Sequence, residues 1–110
     1  MGSKIKVHIL DKNGEKVEKH GPFNDKILLN WWIDRTSAEQ GETKITFNKA
    51  HDIASDLYPL LTEIKLPEQL DDINSVSALN SINSISSICQ LFIRYKENNR
   101  KFSGFIVVWG

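Results

Sequence analysis

Three histidines, a single cysteine and a scatter of carboxylates are the side chains through which this chain could do chemistry. A structural zinc site needs four Cys or His ligands at close spacing. Cys89, His8, His20 and His51 are too far apart in the chain to supply one, so no metal or cofactor is expected. Asp52 and Asp56 lie four residues apart and, with His51, would share one face of a helix; that arrangement could hold a cation but reads more simply as a solvated face. Cys89 would need a nearby base and an electropositive setting to act as a nucleophile. His8 and His20 with a lysine could imitate a two-histidine ribonuclease, yet nothing in their spacing fixes such a geometry. Glycine-rich phosphate-binding patterns are absent, and Gly104 stands alone. The sequence therefore predicts no catalytic residues and a protein that is not an enzyme.

Charge is the other resource. The 14 Lys and Arg balance the 14 Asp and Glu, so the net charge of zero gives no overall pull toward nucleic acid or membrane. Local runs differ in sign. Between Asp52 and Asp72 lie Asp52, Asp56, Glu63, Glu68, Asp71 and Asp72 against Lys65 alone. Near the C-terminus Arg94, Lys96, Arg100 and Lys101 gather beside Tyr95 and Phe102. The octamer KFSGFIVV, Lys101 to Val108, is similar to an RNA-recognition-motif signature at Lys101, Gly104, Phe105 and Ile106. It departs from that signature where Phe102 replaces a glycine and Ser103 and Val108 replace aromatics.

These residues must be positioned by local elements. Lys4 to Leu10 alternates as a strand, and Asn13-Gly14 predicts a hairpin returning through Glu15 to Lys19, a charged strand suited to a sheet edge. Gly21-Pro22 is expected to end the extended region. Asn24 then caps a helix, with Phe23 and Leu28 as a hydrophobic staple, that runs to Gly41; the alternation of Ile27, Leu29, Trp31 and Ile33 leaves a strand as the alternative. Thr43 to Phe47 reads as a strand. Asn48 opens a helix to about Tyr58 whose core face is Phe47, Ala50, Ile53, Ala54 and Leu57, and Pro59 stops it. Leu60 to Leu66 is a compact apolar connector, and Pro67 begins another helix with Leu70 and Ile73 inward.

From Ile73 to Ile88 apolar residues recur every third position among Asn and Ser. That spacing walks around a helix, so a short helix or turn followed by irregular chain, or a low-complexity loop, is expected instead of one straight amphipathic helix. Ile88 to Trp109 reads as a β-hairpin about Asn98-Asn99. In that register Cys89, Leu91, Ile93, Tyr95, Phe102, Ile106 and Val108 face the core. Ile88, Gln90, Phe92, Arg94, Ser103, Phe105, Val107 and Trp109 form a second face, either covered by another element or used for contact.

A chain of 110 residues, 40% hydrophobic and 25% charged, suits one folded domain, residues 1–110. Its apolar runs of three to five residues are far below a membrane span, the N-terminus lacks a secretory apolar region, and one cysteine permits no intrachain disulfide. A cytoplasmic protein is expected. The expected fold is α+β: an antiparallel sheet of about four to five strands built on the C-terminal hairpin, with two to three helices against it. In size and character, with an acidic stretch, spare aromatics and no catalytic constellation, the chain resembles the small bacterial immunity proteins that neutralise polymorphic or contact-dependent-inhibition toxins, often nucleases. The resemblance is one of overall character, not of motif. It implies a protein-binding inhibitor that docks on a cognate toxin. Asp52, Asp56, Glu63, Glu68, Asp71 and Asp72 would meet a cationic cleft, and exposed aromatics among Trp31, Trp32, Phe92 and Trp109 would anchor the contact. The alternative is a small nucleic-acid-binding module using the basic hairpin tip.

Overall fold

A computed structural model describes residues 4–64, 73–95 and 100–110, with side chains placed from residue 76 onward in the second stretch. The order is β1 (Lys4–Asp11), β2 (Lys16–Asn24), α1 (Lys26–Thr36), β3 (Gly41–Thr46), α2 (Phe47–Leu57), α3 (Leu60–Glu63), α4 (Ile73–Arg94) and β4 (Phe102–Trp109). The strands form one antiparallel sheet in the order β2-β1-β4-β3, an α+β fold with the helices on one face. The last strand of the chain thus lies between the first and the third.

Alternation sorts the sheet. Ile5, Val7 and Ile9 of β1, Ile45 of β3, and Phe105, Val107 and Trp109 of β4 enter the core with the helices. Phe105 sits opposite Ile9 on one side and Ile45 on the other. Its ring meets Phe92 of α4 at 5.1 Å and Phe47 of α2 at 5.5 Å between centroids. Gly104 has a steric reason to be glycine: a Cβ there would stand 2.5 Å from the Ile45 carbonyl oxygen of β3.

The N-terminal hairpin forms as its sequence predicts, although β2 is longer than expected. The Asp11 carboxylate accepts from the amides of Asn13 and Glu15 at 2.8 and 2.9 Å, and Gly14 takes φ 82°. This is the left-handed position that a three-residue hairpin loop requires. Gly21-Pro22 does not end β2. The pairing shifts there, from Val7 opposite His20 to Ile5 opposite Phe23, and the strand continues to Asn24 on the sheet edge.

The cap of α1 is Asp25, not Asn24: its Oδ2 accepts from the Leu28 amide at 2.9 Å. The expected Phe23–Leu28 staple therefore falls one residue out of step. The helix ends at Thr36, with Ser37 in the left-handed conformation donating its amide to Ile33, and Gly41 begins β3 instead of closing the helix. Similarly, α2 is capped by Thr46, whose hydroxyl accepts from the Lys49 amide at 3.2 Å, instead of by Asn48. Its buried face is Ala50, Ile53, Ala54 and Leu57, with Phe47 half-buried against the same core; the helix stops before Pro59 as expected, and the connector contains the single turn α3.

The C-terminal third differs most from expectation. No hairpin spans Ile88 to Trp109, because residues 73–94 are one 22-residue helix. Its inward stripe is Ser81, Ser84, Ile85, Ile88, Cys89 and Phe92, a spacing that follows the helical repeat. The every-third apolar series is not that stripe: Val76 and Leu79 face outward, while two serines take core positions. Ser81 does so because its hydroxyl donates to Asp25 Oδ1 at 2.5 Å, joining α4 to the start of α1, and Asn80 donates to the Asn24 carbonyl at 3.2 Å beside it. In β4 Phe102 enters the core as expected, but beyond Gly104 the face assignment is reversed, since Phe105, Val107 and Trp109 point inward while Ile106 and Val108 are only half-buried. From Val76 to Arg94 the helix is long and apolar enough by length and composition to cross a membrane, which the short apolar runs had not suggested; many of the responsible residues are packed in this core. Asn98-Asn99 and the Pro67 helix start lie outside the described residues.

Replacing Gly104 with alanine is expected to cost about 1–3 kcal/mol, read as a lower denaturation midpoint, because β3 backbone must move. A double-mutant cycle on Asp25→Ala and Ser81→Ala should show coupling. Each single change is expected to cost about 1–2 kcal/mol, and the pair less than their sum, since the second removal leaves no buried group unpaired.

Candidate functional site

The described acidic residues of the central stretch, Asp52, Asp56 and Glu63, fall on the outer side of the helical layer. Asp52 and Asp56 are exposed on α2 and Glu63 is exposed on α3; Glu68, Asp71 and Asp72 lie outside the described residues. Asp56 accepts from Arg35 of α1 at 2.7 Å, and the same guanidinium lies 5.4 Å from the centre of the Trp31 ring. The pair leaves Asp52 and Glu63 as the other described carboxylates of this surface.

Of the four aromatics expected to anchor a partner, three are core residues. Phe92 is 1% exposed, Trp32 4% and Trp109 7%. Trp32 packs edge-on against Trp109 at 5.6 Å, and Trp109 donates its indole N–H to the Ala38 carbonyl at 2.9 Å. Trp31 is half-buried under Arg35. The aromatic that does stand out is Tyr58, 61% exposed at the C-terminal end of α2, between the acidic positions of α2 and α3. Its signal was present in the sequence: it falls off the core stripe of α2, one residue beyond Leu57 and just before the helix-ending Pro59.

A second cluster joins the edge strand to the end of α4. Tyr95 donates to Glu18 Oε2 at 2.5 Å, and its oxygen lies 3.4 Å from His20 Nε2. His20 Nε2 is 3.5 Å from the same Glu18 oxygen. Glu18 and His20 meet because both oppose inward residues, Ile9 and Val7, in the β1–β2 register. The phenol hydrogen bond, ahead of the imidazole beside it, holds the Glu18 carboxyl below its ordinary value, while burial and Glu18 push the Tyr95 phenol up to about 12. A cleft of about 350 Å³ adjoins the cluster, with His20, Arg94 and Tyr95 among its walls. Because Tyr95 stays protonated and is committed to Glu18, the arrangement ties β2 to α4; it does not present a free acid and base.

Cys89 is buried, its Sγ 3.9 Å from the Ala54 carbonyl, and burial pushes the thiol up to about 11. It is a small apolar side chain here. Among the described residues no group of three His, Cys, Asp or Glu is placed to hold a metal ion. Arg94, Arg100 and Lys101 are exposed, but Phe105, the aromatic shared with the RNA-recognition octamer, is wholly buried and so closed to base stacking. Lys96 lies outside the described residues.

The face of the sheet opposite the helices, open among the described residues, carries a grouping that the sequence did not reveal. Lys6 and His8 of β1, Lys16 and Lys19 of β2, and Glu42 and Lys44 of β3 all share it with Ile106 and Val108. The sheet curls toward this side: Lys16 reaches Glu42 at 3.6 Å across the two intervening strands. Partial desolvation, then Lys16 and Lys19, hold the His8 imidazole below its ordinary value. No protein-family model, curated protein or solved structure gives a significant match to the chain.

Replacing Tyr95 with phenylalanine is expected to raise the Glu18 carboxyl toward its ordinary value of 4.5, followed as a carbon-detected titration. The sign for stability follows from the depressed value. The contribution of this contact is present above pH 4.5, declines as pH falls through the lower folded value, and is missing at every pH in the phenylalanine variant.

Proposed function

We propose that the chain is a protein-binding inhibitor, an immunity protein that neutralises a cognate bacterial toxin in the cytoplasm by docking the α2–α3 surface on a cationic region of the toxin. The observation that carries this reading is Tyr58, an aromatic 61% exposed at the end of α2, which falls in the chain between Asp52 and Asp56 of α2 and Glu63 of α3. Tyrosine gives a large, fairly rigid contact area with a polar tip, and is enriched among residues that dominate binding energy. The carboxylates would speed encounter with a basic partner and disfavour an acidic one. Trp32, Phe92 and Trp109 have no part in this interface because they hold the core together, and Trp31 contributes at most its exposed edge beside Arg35.

The test is capture of the toxin followed by measurement of its binding to variants. Tyr58→Ala is expected to weaken the complex by roughly 10- to 100-fold. Asp52→Lys with Glu63→Lys should slow association most at low salt, with unfolding unchanged because both sites are exposed. A partner that binds these variants as tightly as the parent chain would remove the α2–α3 surface from the mechanism.

A further inference from the structure

The open sheet face differs from the α2–α3 surface in its charged residues, which are mostly lysines instead of the carboxylates Asp52, Asp56 and Glu63. Lys6, Lys16, Lys19 and Lys44 come from three strands and converge on a curled surface whose described carboxylate is Glu42. Between them lie the half-buried Ile106 and Val108 of β4, over which lysine stems can rest while the ammonium groups reach outward. Leu10, on the same face, is fully buried yet stands apart from the main core, consistent with the β1–β2 loop folding over it; a Cβ on Gly14 of that loop would lie 3.9 Å from Lys44 Nζ. The curl brings the lysines of the two edges toward one another instead of letting them diverge.

We propose that this face binds the phosphate backbone of double-stranded nucleic acid, independently of base sequence. Charge complementarity sets the sign of the occupant, and the residue types narrow its class. Protein-binding surfaces are rich in Tyr, Trp and Arg and poor in Lys, the reverse of what is found here. Single strands are held by stacking bases on aromatic rings, and apart from the His8 imidazole this face presents no ring among its described residues. Lysines act as point charges toward phosphate, and a duplex carries the higher density of phosphates. Because the face lies opposite the helices, it can be occupied while the α2–α3 surface holds a protein.

The test is fluorescence anisotropy of roughly 20-base-pair DNA and RNA duplexes titrated with the full chain across a salt series. Four lysine contacts predict a slope of log affinity on log salt of about −3.6, or about a 150-fold loss between about 50 and 200 mM salt. Lys6→Gln, Lys19→Gln and Lys44→Gln together should flatten the slope to about −0.9 and weaken binding about tenfold or more at the lower salt. Lys26→Gln with Lys49→Gln, on exposed positions of α1 and α2, should leave both unchanged. Thermal melts matching the parent would show that the triple variant is folded. Absence of duplex binding by the parent chain at about 50 mM salt would overturn the proposal. So would a triple variant that keeps the parent slope, or a helix-side pair that loses as much as the sheet-face triple.

Discussion

Phe105 is the contact on which the two layers depend. It lies in β4, the strand that arrives last and takes a central place, and its ring meets Phe92 and Phe47 while its backbone pairs on both sides. Each such aromatic pair is worth about 0.5–1.5 kcal/mol beyond the area it buries. The larger consequence is topological. Without β4, β3 has no neighbour and β1 has only the charged edge strand β2, so neither the inner apolar face nor the outer basic face exists. The close approach at Gly104 belongs to the same arrangement, since a side chain there would push β3 away from the strand that carries Phe105.

Much of the first half could be read from the sequence because local chemistry decided it. Alternation put Ile5, Val7 and Ile9 on one side of β1, the side that faces the core, Asn13-Gly14 made the turn, and the apolar repeat of α2 gave its core stripe correctly. The caps of α1 and α2 were missed by one and two residues, since Asn24 and Asp25 are adjacent candidates and Thr46 competes with Asn48. In the C-terminal third the sequence was ambiguous in kind. Residues 88–95 are apolar at both odd and even positions, a pattern that a buried helix and a central strand share. Ser81 counted against a helical core stripe, because its partner Asp25 is 56 residues away.

The candidate surfaces divide in the same way. The acidic stretch was legible because Asp52, Asp56 and Glu63 are near one another along the chain, but the aromatic beside them was misjudged: size and hydrophobicity pointed to tryptophan, and burial took the tryptophans. The basic face was illegible because Lys6, Lys16, Lys19 and Lys44 come from three strands and only the sheet register brings them together. Looking for charge in runs finds the ends of helices and loops; it does not find the face of a sheet.

Net charge is consequently a poor guide to how this chain meets other molecules. The balance of 14 positive and 14 negative side chains hides a two-layer fold whose open sheet face, among the described residues, gathers four lysines and whose α2–α3 surface carries Asp52, Asp56 and Glu63. At physiological ionic strength charges are screened over about 8 Å. The thinnest dimension of the molecule is 21 Å, more than twice that length. A partner approaching either side therefore senses the local sign and little of the opposite one. The lysines can be gathered without destabilising the fold because strand alternation turns every one of them away from the core and Glu42 lies 3.6 Å from Lys16. The lysines are brought together by the register of the strands, which is set in turn by the apolar residues on their other side.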